Sequence, residues 1–153
     1  MPTFRKAEAA DVPVLIELVE ALYTEDPSPL HPTPEHTRRT FEVFAKHPEK
    51  GTALLMEQDG QVAGYALLVF FWSNEYGGHK VFIDELFVSP AWRGKGLATA
   101  FFAYLLREWA DFAVAFELEV TPYNADARRL YERLGFVQAK NANLVLVQKT
   151  NNK

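Results

Sequence analysis

A chain of 153 residues with 48% hydrophobic and 24% charged side chains is long enough to fill one core and too apolar to stay disordered. Its net charge of −4 argues against a nonspecific nucleic-acid binder and leaves room for a cationic substrate. The absence of cysteine excludes disulfides, thiolate metal ligands and a cysteine nucleophile, and no apolar run is long enough for a signal core or a membrane span. The expectation is a soluble, cytoplasmic protein with one domain over residues 1–149 and a short tail at 150–153.

Residues 3–6 read as a first strand. Asp11, just ahead of Val12 and Pro13, is placed to cap a helix over about 12–23, in which Val14, Leu15, Leu18 and Leu22 recur at helical spacing. Pro27, Pro29 and Pro32 then break the chain, and Thr33 caps a second helix that has Pro34 at its first position and runs to about Lys46. Apolar runs at 52–57 and 62–72 flank Gln58-Asp59-Gly60-Gln61, a tight-hairpin signal. After a turn over 73–78, residues 79–88 form a further strand.

Beyond it, residues 97–110 are apolar nearly all round and predict a helix buried against the sheet. Residues 113–120 are strand-like, Asn124 begins a helix that Gly135 ends, and 136–139 and 144–149 supply the last strands. A strand, loop, helix, strand unit implies one parallel pair with a right-handed crossover beside an antiparallel meander. The predicted fold is a mixed, mostly antiparallel α/β sheet of six or seven strands with about four helices.

The junction Val88-Ser89-Pro90-Ala91-Trp92-Arg93-Gly94-Lys95-Gly96-Leu97-Ala98 joins a strand to a helix through two glycines and two basic residues. A helix start leaves about four N–H groups unpartnered, and glycine lets an anion approach the backbone. Thr99 stands where a dinucleotide fingerprint needs a small residue, and Lys95 is followed by Gly96 where a nucleotide-triphosphate loop needs Ser or Thr. Neither nucleotide pattern fits. What remains is R-x-x-G-x-A at Arg93, Gly96 and Ala98.

This loop resembles the acyl-CoA pyrophosphate loop of the GNAT superfamily of N-acetyltransferases. The resemblance extends to Ile83-Asp84-Glu85-Leu86-Phe87-Val88 before it and to Asn124, Tyr131, Gly135 and Phe136 after it. It implies a GNAT-type sheet and direct transfer of an acetyl group from acetyl-CoA to an amine, in a ternary complex without an acyl-enzyme. Arg93, Gly94, Lys95, Gly96, Leu97 and Ala98 would then hold the pyrophosphate, and backbone groups near Phe87 and Val88 the pantetheine amides. Asn124 would contact the cofactor or orient its helix.

Tyr131 matches the family's general acid, and a phenol with pKa about 10 can protonate a departing thiolate. Asp84 and Glu85 are the candidates for amine deprotonation and amine binding respectively. Adjacent strand residues face opposite sides unless a bulge intervenes, so the pair needs one to act together. Their arrangement is similar to that of the diamine, polyamine and thialysine acetyltransferases of the family.

Tyr23, Glu25 and Asp26 in the proline-rich connection, with Trp72, Glu75 and Tyr76 before the third strand of the meander, set acids beside aromatics, a mixture suited to an amine. His31 and His36 could line the acceptor side; the four histidines have no metal-site spacing, and no metal is expected. The acceptor is expected to be a small amine, with a protein or peptide amine, or a non-catalytic acyl-CoA sensor, as alternatives. The run Leu144-Val145-Leu146-Val147 offers an edge for a homodimer.

Overall fold

The Asp59-Gly60 turn, with both residues at positive φ, folds β2 (Gly51–Gln58) back on β3 (Gln61–Ser73), and this hairpin is the centre of the sheet. In the computed structural model, which describes residues 1–148, β1 (Thr3–Lys6) pairs antiparallel with β2, and β4 (Gly78–Val88) pairs antiparallel with β3. The last strand, β5 (Ala113–Leu118), lies parallel to β4, giving the order β1-β2-β3-β4-β5.

Alternation along the strands divides the core in two. On one face, α1 (Val12–Glu25) sets Leu15, Leu18 and Val19 against Leu55, Tyr65 and Phe87. On the other, α3 (Leu97–Glu108) presses Leu97, Phe101, Phe102 and Leu105 onto Leu54, Ala66, Leu68 and Ile83. Each such side chain contributes roughly 1.5–3 kcal/mol of burial. Leu106 is nevertheless exposed, so α3 has a solvent side that its composition hides.

The helix starts follow local chemistry. Thr33 caps α2 (Pro34–Lys46) in a reciprocal box with His36. Asp11 holds the N-cap position of α1, but its carboxylate is turned to Arg5, at 2.8 Å, and to Glu8 N–H, at 2.7 Å. Asn124 caps α4 (Ala125–Arg133) by accepting from Ala127 N–H. None of the helices among the described residues is long and apolar enough to cross a membrane.

Among the described residues the sheet has five strands, not the expected six or seven. Phe136 packs on the core beside α4, but residues 137–148 form no strand, and Val137, Leu144, Val145, Leu146 and Val147 are all exposed. β-propensity records fitness for a pleated surface, and it produces a strand only where an edge pairs with it. The expected tail at 150–153, and Lys149 of the last expected strand, lie outside the described residues.

Candidate active site

β4 and β5 stay paired only as far as Ile83 and Leu118, after which β4 continues to Val88 with β3 alone beside it. The sheet opens there. Ser89 N–H donates to Ala63 O at 2.8 Å, and because antiparallel pairs alternate, Phe87 also turns its peptide groups toward β3 while Leu86 and Val88 turn theirs into the opening. Of the two residues expected to present backbone groups, Val88 is thus on the edge away from β3 and Phe87 is not, and Leu86 joins Val88 there.

The opening leads to the glycine loop. Gly94 and Gly96 have φ of 76° and 77°, and a Cβ at either would meet nothing within 4 Å, so left-handed backbone and not crowding selects glycine here. Gly96 is the N-cap of α3 and offers no side chain to the first N–H groups of the helix. A groove of about 270 Å³ runs from Val88 past Trp92, Gly94, Gly96 and Ala98 to Leu130 and Arg133.

Lys95 Nζ lies 5.1 Å from the centre of the Trp92 ring. Free helix-start amides, glycine backbone, Lys95 and Arg133 together fit a diphosphate. Thr121 Oγ1, in the connection after β5, is buried with no protein partner, as a polar atom reserved for a ligand would be.

Arg93 does something besides border this groove. Its Nε donates to Val88 O at 2.8 Å, its NH2 donates to Glu25 Oε1 at 2.8 Å, and its guanidinium sits 5.3 Å over the Phe87 ring. It therefore ties the end of α1 to the end of β4. Asn124 spends its side chain on the α4 cap.

The pairing of β3 with β4 jumps between Leu67, opposite Glu85, and Leu68, opposite Ile83, so Asp84 is the extra residue of a β-bulge. A one-residue shift turns the following side chains over. Ile83 packs toward α3 and Phe87 toward α1, so the bulge brings Asp84 and Glu85 to the same, α1, side. Glu85 Oε2 accepts from Tyr23 at 2.7 Å and Oε1 from Tyr65 at 2.8 Å.

Burial pushes the Glu85 carboxyl up, the charge of Asp84 adds to this, and the two phenols oppose it. Asp84 has no part in that clamp. It keeps one side open to solvent, yet the protein behind it and the charge of Glu119 raise its carboxyl too. The phenols of Tyr23 and Tyr65 are both pushed far up, chiefly by burial.

Tyr131 packs edge-on to Phe102 and Phe136 at 5.8 and 6.0 Å between ring centres. Burial, and then the charge of Asp26, hold its phenol above the ordinary value. Tyr131 is therefore a proton carrier throughout the neutral range.

The remaining expected residues lie elsewhere. Trp72, Glu75 and Tyr76 sit at the β3–β4 turn, about 16 Å along the strand from Asp84 at ~3.3 Å per residue. Tyr76 serves Lys80 instead, whose Nζ is 4.6 Å from its ring and 2.5 Å from Glu117, and Trp72 packs edge-on to His79 at 5.1 Å. His36 is spent on its helix cap, and His31 bonds Glu20 at 2.9 Å with its ring 5.8 Å from that of Tyr23.

Sequence reasoning missed Tyr65 and Arg133. A tyrosine at an inward strand position needs a hydroxyl partner, and that was the one available signal.

Comparisons agree with this architecture. The profile of the acetyltransferase (GNAT) family matches residues 16–136. A thialysine N-epsilon-acetyltransferase of Mus musculus is 31% identical over 83 residues, 51% of this chain and 46% of that protein. A streptothricin acetyltransferase of Streptomyces lavendulae is 34% identical over 90 residues, 56% of this chain and 43% of that protein. The chain spans somewhat under half the length of these curated relatives.

An integron cassette protein from the mobile metagenome of Cole Harbour salt marsh superposes with a TM-score of 0.81 at 28% identity, covering 96% of this chain and 91% of its own. An aminoglycoside N-acetyltransferase in complex with CoA shares the fold, with a TM-score of 0.74 at 17% identity over 97% of this chain and 95% of its own.

Proposed function

The chain belongs to the acetyltransferase (GNAT) family, and from that premise we propose that it is an acetyl-CoA-dependent N-acetyltransferase whose acceptor is the primary amine of a small cationic molecule: a diamine, a polyamine or a lysine-like compound. The observation that carries this reading is the bulge that sets Asp84 and Glu85 on one side of β4, with Glu119 and Asp26 near enough to bias Asp84 and Tyr131. Such a field favours a cation. The two curated relatives, named for thialysine and for streptothricin, support it as well.

Bound acetyl-CoA supplies the acetyl group as an activated thioester. Gly94, Lys95, Gly96, Leu97 and Ala98, with Arg133 alongside, are the residues that would hold its diphosphate. Leu86 and the Val88 N–H, the Val88 carbonyl being taken by Arg93, are the edge groups that would meet its amides.

Asp84 is assigned the proton of the acceptor ammonium, whose ordinary pKa of about 10.4 keeps it unreactive until that proton is removed. Glu85 is assigned the attraction of the ammonium, and Tyr131 Oη the proton that the departing sulfur needs. A direct transfer follows, with residues 1–149 as one transferase domain. Initial velocities with acetyl-CoA and a diamine varied together should give intersecting reciprocal plots. Parallel plots, or an acetylated enzyme by intact mass, would contradict it.

We also propose that the protein works as a homodimer. Its support is the bare outer edge of β5, which carries neither Pro nor Lys, together with the exposed run from Leu144 to Val147.

A further inference from the structure

Tyr65 is fully buried and touches neither the glycine loop nor the solvent, yet its hydroxyl is directed at a carboxylate. A core phenol of this kind is selected for something Phe would not supply, because Phe fills the same space without a polar group to satisfy. The partner, Glu85, receives a second phenol from the opposite side, so its two oxygens are held by different elements: Oε1 by β3 through Tyr65 and Oε2 by α1 through Tyr23.

The clamp fixes the carboxylate in rotation and in position next to the bulge residue Asp84. It also opposes protonation. A hydrogen bond donated to the ionised form favours that form, and here two phenols work against the burial that raises Glu85. Both phenols stay protonated and so remain donors, since burial holds them far above the neutral range.

We infer that Tyr65 and Tyr23 are positioning residues that hold the Glu85 carboxylate in place, so that the acid pair divides its work: Glu85 attracts the acceptor ammonium and Asp84 alone exchanges a proton with it. Tyr23 adds a link to the acceptor side, because its ring stands 5.8 Å from that of His31 and His31 is held to Glu20 at 2.9 Å. The proline-rich connection is thereby seated on the same phenol that steadies Glu85. The inference rests on the proposed amine acetylation for its kinetic consequence but not for its structural one.

The test uses Y65F and Y23F, each measured two ways. In acetyl transfer to a diamine, each variant should raise the KM of the amine about tenfold and leave the KM of acetyl-CoA unchanged. The acid limb of kcat/KM should move to higher pH, because Glu85 without a phenol holds its proton longer. Carbon-13 NMR titration of glutamate carboxyls in the acetyl-CoA-free protein should show the Glu85 signal, assigned by E85Q, titrating at higher pH in both variants than in the wild type.

Wild-type amine KM and pH profile in both variants, or an unchanged Glu85 titration, would overturn the clamp. Should no amine be acetylated by the wild type, the acceptor assignment fails while the titration still decides the clamp.

Discussion

In the proposed reaction Tyr131 and Asp84 carry opposite halves of the proton traffic, and their surroundings suit them to it. Tyr131 is kept protonated by burial among Phe102 and Phe136 and by Asp26, so Tyr131→Phe should lower kcat about a hundredfold. Affinity for acetyl-CoA, measured calorimetrically, should change little. Equal losses of turnover and binding would remove the general-acid role.

Asp84 has a raised carboxyl, and a base works only when ionised. Activity should therefore climb with pH through a limb lying above the ordinary carboxylate range near 4, and Asp84→Asn should abolish that limb in the kcat/KM profile. Asp84, Glu85 and Tyr131 are candidates through the family resemblance. That both acids lie on one side of β4 was not legible, because the bulge is a property of the β3–β4 register.

At the scale of elements, the glycine loop is a conformational device before it is a binding one. Gly96 holds φ of 77° at the head of α3 with open space around it, so Gly96→Ala meets no steric wall and pays only the left-handed backbone, about 1–2 kcal/mol. The expected outcome is a lower melting temperature together with weaker acetyl-CoA binding, read by thermal unfolding with and without ligand. Unchanged affinity would mean that the helix start does not hold the diphosphate.

Gly64 poses the opposite case. A Cβ there would lie 2.3 Å from Phe87 O, so closeness of β3 and β4, not dihedral freedom, requires glycine. The hairpin at Asp59-Gly60, the Thr33 cap and the glycine loop were legible because local chemistry decides each of them. So was Asn124 as the start of α4, where its side chain accepts from Ala127 N–H. The side-chain duty of Arg93 was not, because it is claimed by groups from other segments, Glu25 and Val88 O.

For the whole molecule, the five-stranded sheet ends on a bare β5 edge while a β-prone run stands exposed nearby, with Asn143 Nδ2 donating to Glu119 Oε2 at 2.8 Å close to where β5 stops. Residues 144–147 read as a strand in the sequence because a continuous apolar run with valines reports β-propensity, and propensity does not say which chain provides the partner edge. In the proposed dimer this run is covered. Light scattering after gel filtration should give twice the chain mass, and Leu146→Glu should shift it toward monomer, whereas a monomeric wild type would refute the dimer.

The acids around the opening, with Asp84 and Glu85 on one side of β4, Glu119 near enough to raise Asp84 and Asp26 near enough to raise Tyr131, make the acceptor's charge the central claim. It is tested most directly by release of free CoA thiol at saturating acetyl-CoA across a panel of diamines, polyamines, lysine analogues, aminoglycosides and short peptides. The account expects turnover with small di- and polyamines or lysine-like amines, and values of kcat/KM well above those for peptides. Tight acetyl-CoA binding with turnover of no amine, or a preference for peptides, would contradict it.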